Sequence, residues 1–110
     1  MDVTMNVTDR FSRDVMEWRA DSHLMSSVTD MVLLPSYQRI IGLGPAAVPL
    51  LIEDLRRDLS DGGDPDHWFW ALTAIVGEDH AAGAHTTLEA ARRWVEWFDN
   101  KETPWPPSQN

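Results

Sequence analysis

Apolar residues recur at helical spacing through most of the chain, and two such stripes lie in its N-terminal third. Phe11, Val15 and Trp18 follow one another at i, i+4 and i+7, which places them on one face of a helix over about residues 9–20. A second stripe follows Ser22, whose side chain is suited to cap a helix, and continues to about residue 33. The pattern therefore predicts two amphipathic helices before the first proline.

Proline and glycine mark the boundaries of the next two helices. Pro35 disfavours helical geometry at the residue before it, and the segment 37–43 after it predicts a short helix that ends among glycines. Pro45 suits the first turn of the following helix, which carries an apolar stripe and ends in the basic pair Arg56 and Arg57. The segment 60–66 is rich in turn residues and predicts a loop between two helices.

The C-terminal half contains the most apolar segment of the chain. Residues 67–76 are apolar around nearly the whole helical circumference, so we expect a central helix, capped by Asp66 and stopped by Gly77. Thr86 and Glu89 have the spacing of a capping box and predict the start of the last helix. Tryptophans 94 and 97 lie beside the inner stripe of that helix.

The pattern predicts an all-α fold, because no segment alternates in period 2 between turn signals. The expected architecture is a compact bundle of about five helices, with residues 9–100 as a single helical domain. Residues 1–8 are expected to form a flexible N-terminus and residues 101–110 a proline-rich tail. In that tail, Trp105 either folds back onto the domain or is presented to a partner.

Two stretches resemble a HEAT-like helix pair: residues 44–55 look like its first helix and residues 68–77 like its second. The chain is also similar to a group of small bacterial proteins that combine Tyr-Gln-Arg-Ile-Ile-Gly-x-Gly, here 37–44, with Asp-His-Trp-Phe-Trp-Ala-Leu, here 66–72, and end in a Trp-rich helix. HEAT-like repeats generally form protein-binding surfaces, so the resemblance implies protein binding. Because a solenoid needs about three repeats, a single pair favours a compact bundle.

Composition narrows the functional classes. The formal net charge of -9 disfavours direct binding to nucleic acid or to an anionic membrane surface and suits a basic protein partner. The same charge is also compatible with a purely solubilising role. The chain has no cysteine, and we find no signal peptide and no apolar run of about 20 residues. We therefore expect a cytoplasmic protein that does not contact a membrane.

Histidines and carboxylates offer two weak candidates for catalysis or metal binding. His67 beside a carboxylate has the composition of a general base or metal ligand, although a local hydrogen bond in a helical first turn is the simpler interpretation. Glu78, Asp79 and His80, together with His85, form the best metal-like cluster, but an Ala/Gly-rich loop offers little preorganisation. No nucleotide-binding or nucleophile-elbow motif is present. The sequence thus predicts no enzyme and no cofactor.

The aromatic residues carry the functional hypothesis. Aromatic and arginine side chains dominate the energetics of protein interfaces, and this chain has six tryptophans. We therefore expect a non-catalytic module that binds or neutralises a partner protein, as antitoxins, immunity proteins and phage inhibitors do. The candidate contact residues are Tyr37, Arg39, Trp68, Trp70, Trp94, Trp97 and Trp105. The alternatives are a metal-dependent or hydrolytic enzyme built on His67 and the 78–80 loop, and a structural homodimer.

Successive residues of a helix point about 100° apart, so Trp68, Phe69 and Trp70 cannot all face one neighbour. One of the three must therefore face away from the core. The sequence does not distinguish Trp68 from Trp70, or Trp94 from Trp97, as the exposed member of each pair. For Tyr37 and Arg39, a structural hydrogen-bonding role is as compatible with the pattern as partner recognition.

Overall fold

The computed structural model of the protein describes residues 6–62, 65 and 67–100. Within these residues the chain is helical and contains no strand, which confirms the predicted all-α class. The α-helices are α1 (Val7–Ser22), α2 (Val28–Val32), α3 (Pro35–Gly42), α4 (Val48–Asp61), α5 (Phe69–Val76) and α6 (Thr87–Asn100), with a 3₁₀ turn at Gly44–Ala47 before α4. None of the described helices is long and apolar enough to cross a bilayer.

The N-terminal helices differ from the prediction in their boundaries. The side chain of Asn6 caps α1 by accepting a hydrogen bond from the Asp9 amide at 2.8 Å, so the helix starts before residue 9. Ser22 belongs to the end of α1, where its hydroxyl donates to the Trp18 carbonyl at 2.7 Å, and it does not cap the second helix. That cap is Ser27, which leaves α2 only five residues long. Leu24 is 91% exposed and lies outside the helical stripe.

The C-terminal helices follow the local signals more closely. Gly77 ends α5 with a φ of 92°, a left-handed conformation that favours glycine. The Thr86 hydroxyl accepts a hydrogen bond from the Glu89 amide at 3.0 Å, which confirms the capping signal before α6. The expected cap at Asp66 lies outside the described residues, and α5 begins at Phe69.

Four rings form the centre of the core where α1, α3 and the start of α5 meet. The Trp68 ring lies 5.6 Å from Tyr37 in a stacked arrangement and 4.7 Å from Trp18, with Phe11 at its other side. Aromatic rings at these separations stabilise a core beyond the burial of their area. The other part of the core lies between α4 and α6, where Leu51, Leu55, Ala91 and Trp94 are buried.

Two buried carboxylates connect the helices across this core. Asp14 of α1 is 2% exposed, and Arg39 of α3 donates to it from Nε at 3.0 Å. Asp54 of α4 is 6% exposed and accepts from Arg19 of α1 and from the Trp68 indole at 2.7 Å. Because buried charges are stable only when paired, each carboxylate fixes the relative positions of the helices that supply its partners.

Candidate functional site

Helix α5 has one buried face and one exposed face. Ala71 and Leu72 are fully buried towards α3 and α4, whereas Trp70 is 57% exposed. Trp70 and Ala74 are exposed and Phe69 and Thr73 are half-buried, and together with Asp79 these residues line an open groove of about 390 Å³. We call this feature the α5 groove. Its walls are mainly apolar, and Asp79 places a carboxylate at its edge.

The α5 groove depends on a hydrogen bond that α5 receives from another helix. No side chain of its own caps α5, so its first amides lack partners from within the helix. The Tyr37 hydroxyl of α3 accepts from the Ala71 amide at 2.9 Å and donates to the His67 carbonyl at 2.8 Å. Tyr37 therefore caps α5 although it is remote in the sequence, and it holds the turn on which Trp70 lies.

The loop after α5 is also fixed. Asp79 Oδ1 accepts from the Ala81 amide at 2.9 Å, and Arg93 of α6 donates to the Ala82 carbonyl at 2.7 Å. The carboxylate at the edge of the α5 groove is thus oriented by its own loop, and the loop is held against α6. Asparagine at position 79 could accept the same amide hydrogen bond, so charge and geometry can be separated there experimentally.

Three of the predicted contact residues belong to the core. Tyr37, Trp68 and Trp94 have no exposed surface, because their rings pack between helices. Burial also raises the pKa of the Tyr37 hydroxyl, and the amide of Ala71 opposes this only in part. The assignment of these three to a partner-binding face therefore does not match their positions, and the alternative left open by the sequence, Trp70, provides the exposed tryptophan.

Arg39 has a structural environment. Its guanidinium pairs with Asp14 and with Glu17 of α1. The hydrogen bond that it donates to Glu17, followed by the one that it donates to Asp14, raises its pKa. Its side chain is 44% exposed, and these two carboxylates accept hydrogen bonds from its Nε and from one of its terminal nitrogens. Arg39 therefore joins α3 to α1 in this structure.

Trp97 is half-buried. His80 stacks on it with ring centroids 4.5 Å apart, and Trp94 meets it edge-on at 5.5 Å. Trp97 thus carries the packing of the 78–85 loop against α6, and it does not line the α5 groove. Trp105 lies outside the described residues.

The residues of the alternative enzymatic hypothesis do not converge. No group of three or more histidine, cysteine or carboxylate side chains in the described part of the chain could hold a metal ion. His80 packs against Trp94 and Trp97, its Nε2 lies 3.4 Å from Glu78 Oε2, and Asp79 lines the α5 groove. His67 contributes its backbone carbonyl to Tyr37. Within the 78–80 segment, His80 makes aromatic contacts and Asp79 accepts a hydrogen bond from its own loop.

A second cleft, of about 200 Å³, lies between α1 and α4 and contains Arg19, Asp54 and Arg57. Both arginines form ion pairs with Asp54, at 3.2 and 3.5 Å, so each of these three charged side chains has a partner of opposite charge. The burial of Asp54 could not be predicted from the sequence, because the arginine and tryptophan that stabilise it are distant in the chain. Its i+3 spacing to Arg57 was the available local signal.

No protein-family model, curated protein or solved structure matches this chain. The α5 groove is therefore assigned from its own geometry, as the place where a large aromatic side chain, small residues and a carboxylate meet at the surface.

Proposed function

We propose that this protein is a non-catalytic helical module that binds a partner protein through the α5 groove. The observation that carries the proposal is Trp70, which is 57% exposed on a turn held from outside by Tyr37. Exposing a large aromatic ring costs free energy in a folded chain, and such rings are the residues most often found at binding hot spots. Trp18, Trp68 and Trp94 are buried, so the exposure of Trp70 is specific to its position.

The rigidity of the groove supports the same function. Trp70 lies on a helix, and the carboxylate at the groove edge is oriented by a hydrogen bond within its loop. A preformed surface loses less conformational entropy on binding than a flexible one, which favours affinity. We infer that the partner is recruited or neutralised by this contact, in the manner of small antitoxins and inhibitors.

The direct test is capture of a partner from a lysate of the native cells with the tagged full-length chain, compared with its Trp70→Ala variant. Because Trp70 is exposed, this variant should fold, and its circular dichroism and thermal unfolding should match the parent. Leu24→Ala is the matched control, since Leu24 is more exposed than Trp70 and lies in the connection after α1.

The proposal predicts one protein that the parent and Leu24→Ala enrich and that Trp70→Ala loses. A partner that all three proteins enrich equally would mean that binding occurs elsewhere on the molecule. Trp97→Ala is not a suitable variant, because its ring packs against His80 and Trp94 and its loss would disturb α6.

A further inference from the structure

The α5 groove combines two features that together recognise one side chain. The exposed indole of Trp70 offers a π face, and Asp79 supplies a negative charge within the same groove. Cations bind over aromatic faces, with tryptophan the strongest of these, and a planar guanidinium can stack on an indole while it donates to a carboxylate. An apolar ligand would use the ring alone and would gain nothing from the negative charge of Asp79.

The electrostatics of the surroundings favour the same ligand. Glu78 precedes Asp79 in the chain, and its side chain is 76% exposed, so a second carboxylate adds negative charge next to the residue that lines the groove. The chain as a whole carries a formal net charge of -9. A positively charged segment is attracted to such a surface at long range, which raises its association rate.

Thr73 and Ala74 complete the site. Both lie one turn after Phe69 and Trp70 on the same face of α5, and their small side chains leave the space that forms the groove. The stem of an arginine is three methylene groups long and packs well along apolar surface while its head stays polar. The groove thus has an apolar path for the stem, an aromatic face and a carboxylate for the head.

We propose that the α5 groove receives an arginine side chain from a basic segment of the partner, with the guanidinium stacked on Trp70 and paired with Asp79. This inference rests on the proposed function and specifies its partner. The proposal commits to arginine over lysine. A planar guanidinium can lie flat on the indole while the N–H groups in its own plane donate to the carboxylate, whereas a compact ammonium group has no plane that can stack on the ring.

The test uses three blocked decapeptides of glycine alternating with arginine, with lysine or with citrulline. Citrulline has nearly the shape of arginine and carries no charge. Each peptide is titrated into the ¹⁵N-labelled full-length protein, and the indole N–H resonance of Trp70 is followed by NMR, with Trp70→Phe for its assignment. The arginine peptide should shift this resonance in a saturable way and bind about threefold or more tighter than the lysine peptide. The citrulline peptide should leave the resonance unchanged.

Two variants separate the groove from the general acidity of the protein. Trp70→Ala and Asp79→Asn should each weaken the arginine peptide about threefold or more, because each removes one half of the site. Asp30→Asn changes the net charge by the same amount as Asp79→Asn, at an exposed position in the first turn of α2. It should leave the affinity nearly unchanged.

Each opposite result overturns the inference. Equal affinities for the arginine and lysine peptides would show that the groove recognises positive charge alone. A citrulline peptide that binds as tightly as the arginine peptide would show that the charge does not contribute. Equal losses for Asp30→Asn and Asp79→Asn would assign binding to the whole acidic surface. In these cases a partner still lost with Trp70→Ala leaves the proposed function standing, whereas a partner retained by that variant removes both.

Discussion

Trp68 and Trp94 are both fully buried, yet their indole N–H groups are in opposite situations. The Trp68 indole donates to Asp54 at 2.7 Å, whereas no partner is found for the Trp94 indole in the described structure. Replacing each by phenylalanine removes a similar volume, so the difference between the two variants reports the hydrogen bond. We expect Trp68→Phe to lower the free energy of unfolding by about 1 kcal/mol more than Trp94→Phe does.

Urea denaturation of the two variants, followed by circular dichroism, measures this difference. Equal losses would mean that the bond to Asp54 contributes no net stability and that packing alone accounts for both sites.

Tyr37 makes stability sensitive to alkaline pH. It is the single tyrosine of the chain, and its pKa is raised by burial. A group with a raised pKa in the folded state contributes stability that is fully present below its unfolded pKa, here about 10, and that is lost as the pH rises towards the folded value. We therefore expect the free energy of unfolding to fall above about pH 10.

The measurement is denaturation of the parent and of Tyr37→Phe between neutral pH and pH 11. The phenylalanine variant should be less stable at neutral pH by about 1–3 kcal/mol, because the Ala71 amide and the His67 carbonyl lose their partner. It should also lose less stability than the parent as the pH rises. Parallel curves for the two proteins would assign the alkaline sensitivity to other groups.

At the scale of elements, the structure shows which helix boundaries can be predicted from neighbouring residues in the sequence. The end of α5 at Gly77 and the start of α6 at Thr86 were predictable, because each depends on residues within one turn. The length of α2 was not predictable, because apolar residues after Ser22 suggested a continuous stripe, and Leu24 proved to be exposed. Nor could the capping of α5 be predicted, since Tyr37 is more than 30 positions away from the amide it caps.

The α5 groove could be predicted only in part from the sequence. Helical geometry required that one residue of Trp68, Phe69 and Trp70 face outward, but only the neighbours of α5 determine which one. Trp68 faces inward because its ring meets Tyr37 and Trp18 and its indole meets Asp54. The sequence placed Asp79 in a metal-like cluster, and its position at the groove edge follows from the turn that Gly77 makes possible.

Two glycines at helix ends provide an element-scale prediction with an internal control. An added methyl group would contact no other atom at Gly77 or at Gly42, the last residue of α3. The two differ in backbone conformation, because Gly77 has a φ of 92° and Gly42 does not have a positive φ. Alanine at position 77 should lower the free energy of unfolding by about 1 kcal/mol or more, because side chains disfavour that conformation. Alanine at position 42 should be neutral or stabilise by up to about 1 kcal/mol.

Thermal unfolding of the two alanine variants checks both signs. A loss at position 42 as large as that at position 77 would show that backbone conformation is not what separates the two sites.

At the scale of the whole molecule, Asp54 connects three helices. It belongs to α4, pairs with Arg19 of α1 and accepts from Trp68 at the start of α5. Asp54→Asn keeps the shape and removes the charge that these donors require, so we expect a loss of about 1–3 kcal/mol in the free energy of unfolding.

Asp99→Asn is the matched control for Asp54→Asn. Asp99 pairs with Arg56 in two hydrogen bonds of 2.9 Å between α4 and α6, but both side chains are more than a third exposed. Water screens such a pair, and its loss should cost less than about 1 kcal/mol. Guanidinium denaturation compares the two variants. Equal effects would mean that burial does not strengthen the contacts of Asp54.

The capping of α5 by Tyr37 also determines when the groove can exist. An eight-residue helix is too short to persist alone in water, because nucleation costs more than its few internal bonds return. Since a hydroxyl from α3 completes its first turn, α5 depends on the docking of α3 for its shape. The α5 groove therefore exists only in the folded domain, and a synthetic peptide that copies residues 67–77 would carry Trp70 without the groove around it.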